Sequence, residues 1–365
     1  MNNYQSQYPV LEINAAKIKK NAKVVYDLCK ENGIEPVGVV KGYGAIPEVS
    51  KLFLEAGFKT LGDSRINEII RLRMGNIDEK LMLLRIPMFS EIPALVRYAD
   101  SSLNSEIETI RRINKEAERQ KKIHGVILMM DLGDLREGYF DEGEAVKVAK
   151  EIEDDLKHIE LLGIGTNLGC YGSIKPSEKN LGQLCELAEK IEQEIGRELE
   201  MISGGATSTL PLLLEKKVPN KINHLRIGEG IVTAKDLPEL WDVHIPGLFT
   251  DPMTLKAQIV EVKTKPSYPI GEIFIDAFGN KPEYKDRGKL KRAILAMGSK
   301  DIGDYSKIKS NEHGIKIIGS SSDHLIVDIE EYPGELKVGD VLEFDIFYPA
   351  MLFLSSSECV RKIIT

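Results

Sequence analysis

Eight times in its first two thirds the chain passes from a short apolar run into a longer charged stretch, and this alternation restricts its fold more than any other feature. The apolar runs are EPVGVVKG (35–42), KTLGD (59–63), LMLLRI (81–86), DSSLN (100–104), GVILMMDLG (125–133), LLGIGTN (161–167), LEMISGG (199–205) and HLRIGEG (224–230). Most are followed by segments whose apolar residues recur at helical spacing. In SEIETIRRINKEAERQ (105–120), Ile107, Ile110 and Ile113 recur amid charge, the mark of a surface helix. SEKNLGQLCELAEKIEQEI (177–195) reads the same way, and Ser177 after Pro176 marks its start. Eight strand–helix units in about 220 residues match an α/β fold, the (β/α)8 TIM barrel. A doubly wound open sheet is the competing arrangement, and the count of eight favours the barrel.

The texture changes near residue 240. Pro238, Pro246 and Pro252 punctuate the chain, after which helical periodicity nearly disappears. TLKAQIVEV (254–262), RAILAMG (292–298), IKIIG (315–319), HLIVDI (324–329) and VLEFDIF (341–347) are strand-like and separated by turn residues. This predicts a barrel over 8–238 and a β-rich C-terminal domain over 239–365. The strand-like YPVLEIN (8–14) is not needed by the barrel, so residues 1–14 are free to add a strand to the second domain.

Composition excludes several classes of function. Lys and Arg number 49 against 57 Asp and Glu, a net charge of −8 with no basic block, which makes a poor nucleic-acid binder. No run reaches the ~18 apolar residues that a membrane span needs. The start, MNNYQSQYPVLEIN, has neither the basic nor the apolar stretch of a secretory signal. The four cysteines, Cys29, Cys170, Cys185 and Cys359, are scattered without a CxxC pair, which predicts neither a disulfide framework nor a zinc cage but a reducing cytoplasm.

In a barrel of this kind the active site lies at the C-terminal ends of the strands. The first run ends at Lys41 and the fifth leads to Asp131 and Arg136. The sixth ends in Thr166 and Asn167, the seventh in Ser203-Gly204-Gly205, and the eighth carries Arg226 before Gly228-Glu229-Gly230. An ammonium group at the mouth of an apolar barrel is costly unless it is paired, deprotonated or used covalently. Lys41 therefore reads either as a lysine snorkelling from the rim or as an amine that condenses with an aldehyde. SGGATST (203–209) joins two glycines to hydroxyls and a helix start, the ingredients of an anion site, and GEG (228–230) offers more amides. Each glycine pair alone marks only a turn. Both pairs after the last two strands, opposite a lysine after the first, point to pyridoxal 5′-phosphate. GIGTNLG (163–169) superficially resembles a dinucleotide fingerprint, but its third glycine falls one place late, and it is set aside.

These segments resemble the fold-type III pyridoxal-phosphate enzymes related to alanine racemase, most closely the ornithine racemase-like branch. The matching stretches are VVKGYGAIPEVSKLFLEAGFKTLGDSRINEI (39–69), MDLGDLREGYF (130–140), GIGTNLGCYGSIKP (163–176), SGGATSTLPLL (203–213), LRIGEGI (225–231) and PIGEIFIDAFG (269–279). The resemblance implies that Lys41 holds the cofactor covalently and that Tyr43 lies near its phosphate. It implies that Ser203, Gly205 and Thr207, with the amides of Gly228 and Glu229, cradle that phosphate, and that Arg226 faces the pyridine nitrogen. Arg136 would help to place the cofactor oxygen and the substrate carboxylate, with Asn167 also on the substrate side. The family also implies a homodimer whose active sites are shared between copies.

Racemisation needs an acid/base on each face of the substrate's Cα. Lys41 would serve one. The tyrosine that serves the other in alanine racemases is absent, because Pro269-Ile270-Gly271 stands where their motif ends in Tyr-Gly. Asp323, His324 and Tyr268 are the candidates, with Asp323 preferred. The branch implies ornithine or a related basic amino acid, with alanine, serine and lysine as alternatives. Asp134, Glu137 and Asp323 are possible acceptors for a distal amino group, though each is also an ordinary surface acid or helix cap. Cys170 reads as a plain free thiol. A D-amino acid dehydratase or aldolase would need a metal, and His324 and Cys359 show no ligand spacing. Single-barrel cofactor carriers lack a second domain.

Overall fold

The computed structural model describes residues 7–276, 279, 281 and 283–365, so positions 277 and 278 of the quoted 269–279 segment, and 1–6 of the N-terminal stretch, lie outside the described residues. The chain forms two compact units, Ile18–Phe249 and a second made of residues up to Lys17 with Thr250–Thr365. The division thus falls between Phe249 and Thr250, later than the expected 238/239.

Strand β1 (Val10–Ile13) belongs to the second unit. The first unit is built on β2 (Glu35–Val39), β3 (Thr60–Asp63), β4 (Lys80–Leu83), β5 (Ser101–Asn104), β6 (His124–Met130), β7 (Ile159–Thr166), β8 (Met201–Ser203) and β9 (His224–Ile227). These eight strands close in sequence order into a parallel barrel, sealed where β2 pairs with β9 from Glu35↔His224 to Gly38↔Ile227. Each arises from one of the eight apolar runs. Closure abolishes free edges, and burial on both faces explains why the runs are continuous rather than alternating.

Inside the barrel, Val37, Met82, Leu103, Ile127 and Met129 form one cluster, joined by Leu84, Ile86 and Met201. Glycine fits where strands crowd: a Cβ on Gly163 would stand 1.7 Å from the Met201 carbonyl oxygen. Outside, helices return the chain between strands. The helix Ile107–Gln120 buries Thr109, Ile110, Ile113 and Ala117 and turns its charged residues to solvent. Ser177 caps the helix Glu178–Ile195, its hydroxyl accepting from the Asn180 amide at 3.2 Å while the Asn180 side chain returns a bond to the Ser177 amide at 2.8 Å.

The second unit adds β10 (Met253–Pro266), β11 (Lys289–Leu295), β12 (Ile308–Ser310), β13 (Lys316–Ser320), β14 (Leu325–Asp328), β15 (Val341–Ile346) and β16 (Arg361–Ile364). Their order is β12-β15-β10-β11-β14-β13, and β1 joins by pairing antiparallel with β10 and parallel with β16. Among the described residues no helix is long and apolar enough to cross a membrane.

Because Ile127 is wholly buried in the barrel interior, Ile127→Ala should cost about 2–5 kcal/mol in denaturant unfolding. Ile123→Ala, at a site 58% exposed, should change stability by less than about 0.5 kcal/mol. Equal effects at the two sites would contradict the packing described.

Candidate active site

The barrel's C-terminal face collects most of the residues singled out in the sequence. β2 ends at Val39, and the Val40 amide still donates to the Gly62 carbonyl at 2.9 Å before the backbone leaves the extended region at Val40 (φ −104°, ψ −2°). Lys41–Tyr43 then form one 3₁₀ turn, closed by Gly44 in the left-handed region at φ 67°. Lys41 thus stands just past the C-terminal end of β2, at the start of the turn. Lys41 is exposed to solvent, while the protein around it removes part of the water that would solvate its ammonium. That surrounding protein lowers its pKa below the ordinary lysine value. Cys170 and Asp63 oppose the shift, whereas Arg136 and Arg226 reinforce it.

Arg226 stands on β9 with 4% of its surface exposed. One terminal nitrogen, Nη1, donates to Ser203 Oγ, and Nη2 donates to the Thr166 carbonyl at 2.7 Å. Burial pushes the guanidinium down to about 10, helped by Arg136 and opposed by Glu137. It remains a cation at neutral pH and can only donate.

Between Ser203 and the short helix Leu210–Leu214 the backbone turns sharply. Gly205 sits at φ +111°, and a Cβ there would lie 2.9 Å from Thr209 Oγ1. Its carbonyl accepts from the Arg226 amide at 2.9 Å, which ties the loop to β9. Thr207 Oγ1 accepts from the Gly230 amide at 3.1 Å, so the loops after β8 and β9 are fastened together. Among the described residues the amides of Ala206, Thr207 and Ser208 meet no protein acceptor. Successive free amides beside a glycine in a left-handed conformation make a concavity suited to an anion. Gly228 is needed for close approach, since a Cβ there would lie 3.0 Å from Val39 Cβ.

Other side chains hold the loops. Glu229 Oε1 accepts from Thr233 Oγ1 at 2.6 Å and from the Lys235 and Asp236 amides at 2.9 and 3.0 Å, so this carboxylate braces its own segment. Asp134 accepts amides of Tyr171, Gly169 and Ile174 at 2.9, 3.2 and 3.3 Å. Burial alone would raise its pKa, but these bonds outweigh burial and bring it below the usual carboxylate value. Asp134 is therefore occupied by the 169–174 loop and is corrected from a candidate substrate acceptor to a loop anchor. Asn167 Nδ2 donates to Cys170 Sγ at 3.0 Å, and Arg136 Nε pairs with Glu137 Oε2 at 2.8 Å.

Tyr43, expected near the phosphate, is packed inside the protein. It has no accessible surface, its ring lies 6.0 Å from that of Phe53, and its hydroxyl meets Ser50 Oγ at 3.2 Å. These partners, on the helix Pro47–Ala56, occupy its ring and hydroxyl. Asp323, in the second unit, lies exposed on the turn between β13 and β14 with Ser322 Oγ at 2.5 Å, and His324 is exposed beside it.

A model of the alanine racemase N-terminal domain matches residues 13–236. The ornithine racemase of Acetoanaerobium sticklandii is 42% identical over 355 residues, which cover 97% of this chain and 99% of that one. The lysine racemase of Thermotoga maritima is 36% identical over 98% of each. The chain belongs to the alanine racemase family. Among solved structures, the alanine racemase of Clostridium difficile 630 superimposes with a TM-score of 0.74 over 98% of this chain and 96% of its own, at 19% identity. That likeness extends the fold of the alanine racemase family over both units.

Two further polar residues of the barrel strands, one at a C-terminal end and one at an N-terminal end, carry no motif in the sequence. Asp63, the last residue of β3, is fully buried, accepts from the Arg65 amide at 2.9 Å, and has its pKa raised by burial and by Glu68. Its place at a strand end was the only available signal. His224, at the start of β9, pairs with Ser203 across the barrel wall, and spacing gave no hint of it.

Asp236 supplies a pH test of the Glu229 brace. Burial, with Glu229 second, raises its pKa from the ordinary aspartate value of 3.8 to about 7. The folded form thus keeps a proton that the unfolded chain has lost, so this contribution to stability declines as pH rises from about 4 to about 7. Unfolding at pH 5 and pH 8 should show a larger loss for wild type than for Asp236→Asn. Equal losses would contradict the assignment. For Asp134→Asn, amide exchange at Gly169, Tyr171 and Ile174 should accelerate about tenfold or more while the barrel strands stay protected; unchanged exchange would remove the anchor role.

Proposed function

We propose that this chain is a pyridoxal 5′-phosphate-dependent racemase that interconverts the L- and D-forms of a basic amino acid, ornithine foremost. The observation that carries this reading is the convergence, at the C-terminal ends of one barrel's strands, of an amine with lowered basicity, a buried guanidinium and a run of free amides. Family membership and the two relatives named for ornithine and lysine support it.

The residues fit the cofactor. A lowered pKa leaves more of Lys41 uncharged at neutral pH, as attack on an aldehyde requires. The amides of 206–208, with Gly205, Thr207 and the Gly228–Glu229 turn, suit a phosphate, whereas the buried Ser203 hydroxyl, expected in that cradle, is taken by Arg226 and His224; Arg226 suits a pyridine nitrogen that it can only donate to. When bound, the cofactor supplies the electron withdrawal that acidifies the substrate's Cα–H. Lys41, once released by the incoming amino group, accepts or returns the Cα proton on its own face, a role suited to an amine brought toward the working pH. Arg136 and Asn167 bind the substrate carboxylate. With Asp134 tied to its loop and Asp323 given to the second face, Glu137 is the acceptor left for a distal ammonium. Asp323 of a second copy serves the opposite face of Cα in a homodimer. The four free cysteines fit work in the reducing cytoplasm.

Incubation with L-ornithine or L-lysine in deuterium oxide tests this reading. The D-enantiomer should form with deuterium at Cα, and Lys41→Ala should reduce the rate by about 10³-fold or more, as loss of an essential acid/base does. Inversion without exchange, or no inversion of any basic amino acid, would overturn it.

A further inference from the structure

Beneath Arg226 the barrel holds a second polar layer that the reaction does not use directly. His224, two residues earlier on β9 and therefore on the same inward face, is 2% exposed. Its Nδ1 lies 2.8 Å from Ser203 Oγ, the atom that accepts from Arg226 Nη1. Its Nε2 meets no hydrogen-bonding atom among the described residues.

Hydrogen-bonding capacity decides the direction of this chain of contacts. A guanidinium only donates, so Ser203 Oγ accepts from Arg226. The hydroxyl proton then has one acceptor within reach among the described residues, His224 Nδ1. With the ring proton on Nε2, one buried group goes unpaired. The opposite tautomer would leave two, the serine hydroxyl proton and the Nε2 lone pair, so the first arrangement is favoured. Burial, and then the neighbouring Arg226 charge, hold His224 down to about 3, so the ring stays neutral at any working pH. A protonated ring would donate from Nδ1 and compete with Arg226 for the same oxygen. The other acceptor of Arg226, the Thr166 carbonyl, is backbone and cannot rotate away.

We infer that His224 is a positioning residue: through the Ser203 hydroxyl its neutral Nε2–H tautomer fixes the rotation of the Arg226 guanidinium that faces the cofactor ring. This rests on the function proposed above for Arg226. The role of His224 is to keep the serine lone pair pointed at the arginine, so that the remaining guanidinium donors keep one direction. Loosening them should let the ring nitrogen gain a proton from water, and a protonated ring is the stronger electron sink. Turnovers should then end more often in transfer of the amino group to the cofactor than in return of the proton to Cα.

Two measurements test this inference. In the protein without cofactor, ¹⁵N NMR of labelled histidine should show His224 protonated on Nε2 and not titrating between roughly pH 5 and 9. The Nδ1–H tautomer, or titration in that range, would overturn the inference, and neither result depends on the cofactor. In the loaded enzyme, His224→Leu removes the acceptor and His224→Asn keeps one near the Nδ1 position. His224→Leu should raise the fraction of turnovers that end as pyridoxamine phosphate and keto acid by about tenfold, the scale of one buried hydrogen bond. His224→Asn should stay within about twofold of wild type. If His224→Leu does not fold, Ser203→Ala breaks the same relay from its other side and should raise that fraction likewise. A fraction unchanged in the variants that fold, or raised equally by Leu and Asn, would overturn the positioning role. A wild type that neither binds cofactor nor racemises would instead overturn the proposed function, leaving the NMR result to decide the tautomer.

Discussion

A guanidinium placed inside an apolar barrel must be given acceptors, and much of the candidate site follows from that demand. Arg226 cannot shed its proton at neutral pH and cannot accept a hydrogen bond. The ends of β7 and β8 meet the need with the Thr166 carbonyl and the Ser203 hydroxyl. Its backbone amide in turn takes the Gly205 carbonyl, which helps to hold the Gly205–Ser208 stretch in the shape that leaves three amides free. The same cation weighs on Lys41 across the mouth and adds to the effect of burial in lowering its basicity. One buried charge thereby helps to set both the turn with its three free amides and the basicity of Lys41.

The surrounding loops are held by carboxylates whose bonds go to backbone amides. Asp134 gathers the 169–174 loop and Glu229 gathers 233–236. Such bonds fix the loops through the backbone. Arg136, Asn167 and Cys170 can then remain at the surface of the site, with partners that are single and local. A barrel core of Val37, Met82, Leu103, Ile127 and Met129 supplies the rigid base for this arrangement.

The barrel was legible because burial on two faces writes each strand as an unbroken apolar run, and because closure fixes their number at eight. The strand-end rule then led to Lys41, Arg226 and the two glycine loops, whose positions depend only on where each strand stops. What stayed hidden depends on register and rotation. Tyr43 follows Lys41 by two residues, yet a single 3₁₀ turn carries it under a helix and onto Ser50. His224 meets Ser203 only because β8 and β9 pair at those two residues. The short strands β12 and β16 escaped notice because three or four residues hold too little pattern, and β16 is defined by its partner β1 rather than by its own composition.

The central claim is a covalent one, that the amine of Lys41 condenses with the cofactor aldehyde. Reduction of the loaded protein with borohydride, followed by proteolysis and mass mapping, measures it directly. The expected result is a phosphopyridoxyl group on the peptide containing Lys41 and on no other lysine. A label elsewhere, or none on a protein that nonetheless inverts ornithine, would contradict it.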